Sequence, residues 1–349
     1  MSEPLFTLIK VGAAVGMGMN IAGLLGWVER KQSAVMQDRI GANRASILGF
    51  TVLGLFHPLA DLIKMVTKED FVPPRGMRLW HWTAPALSLA CSLLCLAALP
   101  YGDVLVWGGR AHSLQPVPLN AGLLFVLAML SLGVHGVVMA GWSSGSAYAN
   151  LGGLRAAAQM ISYEVSLLVT LAAPLYVYGT LDLAQAVRWQ AHPLLGPIPA
   201  WGIFLQPLAF ILFLTAGAAE TKRAPFDLPE GESEIVGYFV EYSGMKFGMF
   251  LTNDFIESIV LAGMTTALFL GGWHLPGLWR LGLPQAAAAL VGVAVFFAKM
   301  LAVLFLLMQI RWTLPRFRFD QLLALGWKNL LPLAMLNFLL TAWGTFLLR

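Results

Sequence analysis

The chain has 349 residues, of which 58% are hydrophobic and only 11% are charged, and its formal net charge is +4. A soluble domain has about 45–50% apolar residues, so this composition excludes a soluble enzyme with a large core and indicates an integral membrane protein. Basic loops that orient a membrane protein account for a small positive charge, so we expect membrane lipid and no nucleic acid as a partner.

Eight apolar stretches are long enough to cross a membrane as helices, which takes about 20 residues each. They cover approximately residues 7–28, 83–100, 120–142, 159–180, 202–219, 246–271, 287–308 and 329–348. No secretory signal pattern precedes the first stretch, so we expect it to be retained. The sequence therefore predicts an all-α integral membrane protein with about eight transmembrane helices in a single polytopic domain over residues 1–349.

A ninth apolar segment, at about residues 47–66, carries a polar stripe at helical spacing. The stripe consists of His57, Asp61, Lys64 and Lys68. One polar face on an apolar helix is typical of an amphipathic helix that lies at the membrane surface or docks on the bundle. Pro58 predicts a kink in this helix or a break before it.

Lys and Arg residues are concentrated on one side of the predicted topology. Sixteen of the 22 follow the first, third, fifth or seventh span, and four lie on the opposite side. The positive-inside rule then places both termini on the outer, periplasmic side and the long loops in the cytoplasm.

Acidic residues inside the spans cost free energy to bury in a membrane, so their presence indicates a function. Glu164, in the fourth span, indicates either proton handling or a carboxylate satisfied by a neighbouring span or by interfacial water. Asp254 and Glu257 are three residues apart on one face of the sixth span. Either one of them exchanges protons because close carboxylates resist joint ionisation, or Glu257 pairs with a base such as Lys299.

The longest acidic motif is ETKRAPFDLPEGESE, which opens a predicted acidic cytoplasmic loop at about residues 220–245. Asp227 has the position of a helix N-cap, with Glu230 at the third helical position. A continuing helix would align Glu230, Glu234, Tyr238 and Glu241. The alternative is a solvated charged loop.

Motifs for other chemistries are missing from the sequence. There is no Walker A motif, no dinucleotide-binding motif and no cysteine set for zinc or an iron–sulfur cluster, and Cys91 and Cys95 fit as apolar fillers. We therefore predict no metal site and no catalytic residue set, and we expect any electron-carrying cofactor to belong to another protein. Among the histidines, only His57 shares a helical face with a carboxylate.

Long motifs in order along the chain resemble one family of membrane proteins. They are VERK (28–31), RIGAN (39–43), LADLIKMVTKED (59–70), GWSSGSAY (141–148), LRAAAQMISYE (154–164), ETKRAPFDLPEGESE (220–234), EYSGMKF (241–247) and RWTLPRFRFDQLLALGWKNLLPL (311–333). Together they are similar to the H-type membrane subunit of bacterial NADH:quinone oxidoreductase, respiratory complex I. The same family includes the mitochondrially encoded NADH dehydrogenase subunit 1.

The resemblance implies a subunit that forms a quinone chamber with peripheral subunits and couples quinone reduction to proton translocation in the bacterial inner membrane. Quinone is then a substrate, with nothing bound covalently, and NADH, FMN and iron–sulfur clusters are expected on partner subunits. The implied partners are peripheral iron–sulfur and quinone-site subunits, small membrane subunits and antiporter-like subunits.

Carried over position by position, the resemblance assigns two sets of residues. The quinone-chamber set is Arg39, Asp61, Lys64, Arg223, Phe226, Asp227, Glu230 and Glu232. The proton-path set is Glu164, Glu220, Glu234, Glu241 and Asp254. Ala42, Gly145 and Asp254 depart from the usual family residues, which indicates a divergent branch.

Two other functions stay open at this point. A membrane anchor subunit of an energy-converting hydrogenase would share the fold without a quinone reaction, and the intact PFDLPEGESE motif disfavours it. A stand-alone ion transporter would also use intramembrane acids. The long charged loops, which resemble docking surfaces, disfavour that function.

Overall fold

Seven long apolar helices form most of the molecule. The computed structural model describes residues 3–107, 110–195, 198–229, 231, 237–277 and 284–347. Within these ranges, the helices long enough to cross a membrane are α1 (Glu3–Met36), α3 (Arg78–Ala98), α4 (Gly122–Ser143), α5 (Ala147–Tyr178), α9 (Gly244–Phe269), α10 (Gln285–Thr313) and a last span over Phe319–Leu347. The predicted all-α membrane fold class is confirmed.

The fifth predicted span is shorter than expected and is broken. It consists of α7 (Gly202–Leu205) and α8 (Pro207–Glu220), which meet at Gln206, where the backbone leaves the helical region. Proline disfavours helical geometry in the residue before it, so Pro207 ends one helix and begins the next. A single helix over residues 202–219 is therefore wrong.

The last span contains a change of helix type. It runs through α11 (Phe319–Ala324), a π-helical turn (Leu325–Leu330) and α12 (Leu331–Leu347). Hydroxyl groups of α5 donate to carbonyls in this region, with Tyr163 Oη 2.9 Å from Leu322 O and Ser166 Oγ 3.3 Å from Gly326 O. These hydrogen bonds join the last span to α5.

The surface helix α2 (His57–Thr67) begins later than the predicted residue 47. Leu48, Val52 and Leu53 have left-handed backbone conformations, which interrupt a right-handed helix, and a short 3₁₀ turn occupies Val52–Gly54. Pro58 lies in the first turn of α2, where its missing N–H costs nothing. The chain therefore breaks before the helix.

The connecting segments also contain structure that the apolar pattern of the sequence did not predict. Two antiparallel hairpins are present, β1 (Val104–Trp107) with β2 (Arg110–Ser113) and β3 (Pro193–Leu195) with β4 (Ile198–Pro199). A short helix, α6 (Leu183–Trp189), lies between them in the sequence, with Asp182 Oδ1 accepting a hydrogen bond from Ala184 N. We call this end of the bundle the hairpin end.

The opposite end, which we call the charged end, consists of the described residues within 37–77, 144–146, 221–243 and 314–318. Backbone hydrogen bonds join its segments, from Met77 N to Ser143 O (2.9 Å) and from Phe317 N to Pro225 O (3.2 Å). These bonds hold the loops of the charged end as one surface.

Helix α9 lies at the centre of the bundle. Every residue from Asn253 to Phe269 is buried, and α9 packs against α1, α3, α8 and α10. Close helix packing elsewhere depends on small residues. At Gly136 of α4, a Cβ atom would lie 2.8 Å from the carbonyl oxygen of Ala84 in α3.

Replacing Gly136 with alanine should therefore destabilise the folded subunit. The added methyl group forces α3 and α4 apart, and overpacking of this kind costs about 1–3 kcal/mol in the free energy of unfolding. Thermal unfolding of the purified complex in mild detergent measures the effect. Gly133→Ala on the same helix is the control, since its Cβ would meet only Cys91 Cβ at 3.9 Å. Equal unfolding temperatures for the two variants would contradict this account of the packing.

Candidate functional site

A buried ammonium group lies between two carboxylates at the junction of the charged end and α9. Lys222, two residues after α8, has a left-handed backbone conformation (φ 56°). Its side chain is fully buried, and its Nζ lies 3.3 Å from Asp254 Oδ1 and 3.3 Å from Glu257 Oε2. The three-residue spacing places both acids on one face of α9. One cation therefore serves two buried acids.

The alternative pairing of Glu257 with Lys299 is wrong. Glu257 Oε1 accepts from Asn253 Nδ2 at 2.8 Å, and its other oxygen faces Lys222. Lys299 instead donates to the carbonyl oxygens of residues 270, 272 and 274, at 2.7–2.9 Å, and lies 4.3 Å above the Trp201 ring. These carbonyls follow Glu257 by 13 or more residues, about 20 Å along a helix, so the two side chains are too far apart to pair.

Glu220, the last residue of α8, is 6% exposed and lines a small cavity. The cavity has a volume of about 20 Å³ and is otherwise mostly apolar, with Thr221 and Glu257 as the other polar side chains on its wall. A volume of this size holds about one water molecule. Glu220 and Glu257 therefore share a space in which one water could touch both carboxyl groups.

Glu164 of α5 is a further acid whose charge acts on Glu220. It is half-buried and accepts a hydrogen bond from Ser131 Oγ of α4. Glu220 is close enough to both Glu164 and Glu257 to feel the charge of each. Glu164 of α5, Glu220 of α8 and Glu257 of α9 thus form a group in which Glu220 interacts electrostatically with the other two acids, and we call these three acids the carboxylate row.

Glu29 near the end of α1 binds two arginines. Its carboxylate lies 3.5 Å from Arg223 Nη1 and 2.8 Å from Arg311 Nη1, and the Arg223 guanidinium also lies 4.2 Å from the centre of the Phe255 ring. A second cavity of about 20 Å³ borders both arginines. Because ligand pockets for small organic molecules measure about 300–1,000 Å³, this cavity is too small for a quinone ring.

Phe226 and Asp227 are both buried, just beyond Arg223. The Phe226 ring stacks on Phe317 with ring centres 5.4 Å apart, and Asp227 Oδ2 accepts from Arg316 Nη2 at 3.0 Å. These contacts tie the 223–227 segment to the loop before the last span.

The other chamber candidates are more exposed. Asp61 of α2 pairs with Arg30 of α1 at 2.6 Å, next to Glu29, so α1 links α2 to Arg223. Lys64 is exposed on α2, and Arg39 is exposed beyond α1, where it donates to Gln37 and Ser33. The structure therefore brings Asp61, Arg223, Phe226 and Asp227 into one connected region and leaves Lys64 and Arg39 at its surface.

Three of the predicted acids, Glu230, Glu232 and Glu234, lie outside the described residues. The continuous helix predicted from Asp227 to Glu241 is wrong at its described positions. Gly231 is not helical, Gly237 has φ 128°, and Glu241 lies half-buried in a turn before α9. A φ of 128° breaks any right-handed helix, so no single helix runs through Gly237 to Glu241.

A second charge cluster, centred on the buried Lys246, was not predicted from the sequence. Lys246 at the start of α9 lies 3.1 Å from Asp70 Oδ2, 3.3 Å from His81 Nδ1 and 3.9 Å from the centre of the Trp82 ring. His81 in turn stacks on Tyr242, whose pKa burial raises to about 12. Its members come from separate motifs, and the spacing within any one motif gives no signal for the cluster.

No metal site is evident in the described part of the chain, where no group of three or more His, Cys, Asp or Glu residues comes together. His57 Nδ1 lies 2.8 Å from Gly54 O, at the start of α2. Burial and the nearby Lys299 charge lower the pKa of His274 in the loop after α9, which favours its neutral form.

Comparison with known proteins identifies the relatives of this chain. A family model described as NADH dehydrogenase matches residues 9–342. The NADH-quinone oxidoreductase H subunit 1 of Geobacter metallireducens is 44% identical over 96% of this chain and 95% of its own length. The H subunit 2 of Geobacter sulfurreducens is 43% identical over 96% and 94%, and the H subunit 1 of Cytophaga hutchinsonii is 38% identical over 95% and 94%.

Removing the charge of Glu29 should destabilise the charged end. In Glu29→Gln, Arg223 and Arg311 both lose their ion pair with this carboxylate in a partly buried place, a loss of about 1–3 kcal/mol in the free energy of unfolding. Thermal unfolding of the purified complex measures it. The exposed pair Arg318–Asp320 supplies the control, because Asp320→Asn removes an ion pair in water and should leave the unfolding temperature unchanged. An equal, small effect for both variants would contradict the structural role of Glu29.

Proposed function

Because the chain belongs to the NADH dehydrogenase family and is a membrane subunit of NADH-quinone oxidoreductase, we propose that it forms part of a quinone-binding chamber and couples quinone reduction to proton translocation. The family predicted from the sequence motifs is confirmed, as is its place in an oxidoreductase complex. The coupling is assigned to buried carboxylates of this chain.

One observation carries the proposal, namely the carboxylate row Glu164, Glu220 and Glu257, in which Glu220 and Glu257 are buried and Glu164 is half-buried. Reduction of a quinone to a quinol consumes two electrons and two protons. Until the protons arrive, the added electrons put negative charge beside the bundle, where Coulomb interactions are stronger than in water. Nearby carboxylates then bind protons more tightly and pass the perturbation along the row.

The chamber itself is proposed at the charged end, around Asp61, Arg223, Phe226 and Asp227. Arg223 and Arg316 offer cationic groups at this place, and Phe226 and Phe317 offer stacked aromatic rings, which suit a polar quinone head with a hydrophobic tail. Peripheral iron–sulfur and quinone-site subunits would supply the remaining walls. Arg39 and Lys64 would then lie at the rim, and Glu230 and Glu232 in the adjoining acidic loop.

The orientation and partners follow from the same reasoning. The charged end is proposed to face the cytoplasm of a bacterial inner membrane, because 16 of the 22 Lys and Arg residues lie on the side of the predicted topology that contains it. NADH, FMN and iron–sulfur clusters would reside on the docked subunits. Small membrane subunits and antiporter-like subunits would contact the lipid-facing helices, and Glu234, Glu241 and Asp254 would extend the proton path.

The test of quinone binding is to purify the complex in mild detergent and irradiate it with a photoreactive quinone analogue. We expect labelling within residues 223–227 and competition by unmodified quinone, together with NADH-dependent quinone reduction. A complex that carries the labelled subunit but reduces no quinone, or labelling confined to lipid-facing helices, would overturn the chamber assignment. Hydrogen evolution in place of quinone reduction would instead support a hydrogenase anchor.

Replacing Glu164 with glutamine should leave the complex assembled and lower proton transport. Glutamine keeps the hydrogen bond to Ser131 but cannot carry a proton, and a single acid–base group is worth about 10²–10⁴-fold in a proton-transfer step. We expect at least about a tenfold decrease in NADH-driven proton transport or in quinone reductase activity of membrane vesicles. The control is Glu69→Gln, an exposed acid whose side chain lies outside the row. Wild-type values for Glu164→Gln in both assays would contradict the assignment of Glu164 to the proton path.

A further inference from the structure

Two charged residues next to each other, Lys222 and Glu257, stand outside the sets of residues that the resemblance assigned. Lys222 and Glu257 are both buried, and their charged groups lie 3.3 Å apart. Asp254, a member of the proton-path set, lies at the same distance from the same ammonium. The ion pair therefore connects directly to the proposed path.

The charges of this group do not balance when all its acids are ionised. Three carboxyl groups, those of Glu220, Glu257 and Asp254, share the space around one lysine. An uncompensated charge in a low-dielectric interior is costly, and carboxyl groups in this situation retain protons instead. The cluster therefore has more carboxyl groups than its lysine can balance, a setting in which a proton can move from one carboxyl group to another.

The geometry also provides a connection between two of the acids. Glu220 makes no hydrogen bond or ion pair with another described residue, although it is 6% exposed and lines the cavity that Glu257 also lines. A buried carboxyl group without a partner requires a hydrogen-bonding ligand, and the cavity has room for about one water molecule. Thr221, on the same wall, offers a further polar contact.

We propose that Glu257 is a proton carrier that exchanges a proton with Glu220 through this water, and that Lys222 is the positioning residue that holds Glu257 and Asp254 for the exchange. The inference rests on the proposed function, since it adds a station to the same proton path.

The transfer step balances without any other reactant. An O–H bond of protonated Glu220 breaks as its proton joins the water, and the water releases another proton to a carboxylate oxygen of Glu257. The water is regenerated, Glu220 is left ionised and Glu257 becomes neutral. Lys222 keeps its contact with Asp254, so the ammonium has a carboxyl partner before and after the step.

Asn253 helps to hold the Glu257 carboxyl group in position for proton exchange. Its amide nitrogen donates to Glu257 Oε1 at 2.8 Å, while Lys222 faces Oε2, so both oxygens of the carboxylate are held. A proton arriving from the cavity can then displace the contact to Lys222 without moving the side chain. The second acid on α9 makes this displacement inexpensive, because Lys222 retains one counter-charge.

The test uses membrane vesicles that contain the intact complex with Glu257→Gln or Lys222→Met. For Glu257→Gln we expect normal copurification of subunits and at least about a fivefold lower ratio of protons transported to NADH oxidised, since glutamine cannot bind the proton. Lys222→Met should shift the pH profile of proton transport, because both acids lose their counter-charge. Lys328→Met, on an exposed site, and Glu69→Gln are the matched controls.

An infrared difference spectrum of the complex, recorded before and after reduction by NADH, reports directly on protonation of a carboxyl group. A purely structural role of Glu257 would not change this spectrum. A carboxylic acid C=O band that shifts in D₂O should be present in the wild type, absent in Glu257→Gln and retained in Glu257→Asp. An unchanged band in Glu257→Gln overturns the inference. Should Glu257→Gln fail to assemble, Glu257→Asp replaces it: the shorter side chain should change the frequency of the band, and a band identical to that of the wild type overturns the inference. Should Lys222→Met fail to assemble, the Glu257 variants alone decide.

Failure of this inference differs from failure of the proposed function. If Glu164→Gln and Glu220→Gln lose proton transport while Glu257→Gln and Lys222→Met keep it, Glu257 is not part of the proton path. The proposed function then stands and this inference falls. If all four variants transport protons at wild-type rates, the carboxylate row carries no protons and both proposals fall. Loss in all four supports both.

Discussion

A charged side chain in a largely apolar bundle is stable only where opposite charges or several dipoles lie against it. This chain meets that requirement in two ways. Lys299 is held by three backbone carbonyls and an aromatic ring, whereas Lys222 is held by two carboxylates. Carbonyls do not titrate at accessible pH, so the first arrangement is fixed. Carboxylates do, so the second can change its charge while the fold stays the same. The position of α8 and of the loop that follows it depends on this second arrangement.

The charged end repeats the same principle at its surface. Glu29 joins two arginines from distant segments, Asp227 holds the loop before the last span, and Lys246 holds the segment before α3 through Asp70. Each pair joins elements that are far apart in sequence. A surface built in this way is fixed relative to the bundle, which is what a docking platform for peripheral subunits needs. At the charged end, these ion pairs hold in place loops that make few apolar contacts of their own.

Much of the fold follows from the sequence, because span length and apolar composition are local properties. The shared face of Asp254 and Glu257 was also predictable from their spacing. The partner of Glu257 was not, since Lys222 reaches it only through a left-handed backbone that no residue type in that stretch requires. Lys299 was unpredictable for another reason, because its partners are backbone carbonyls without a side-chain signature. Pro207 indicated the break at Gln206, but the apolar run over residues 202–219 led to the prediction of one continuous helix.

The broken fifth span has a consequence for biosynthesis. The amide of Gln206 is bonded to Asn337 and Thr341 of the last span, at 3.0 and 2.8 Å. Asn337 follows Gln206 by 131 residues, which a ribosome adds in roughly 10 s at about 5–20 residues per second. During that interval the Gln206 amide lacks its final partners, so the short α7–α8 segment waits in the membrane or in the insertion machinery. This contact between the two spans therefore forms only when the end of the chain arrives, and premature termination anywhere before Asn337 leaves the Gln206 amide without either partner.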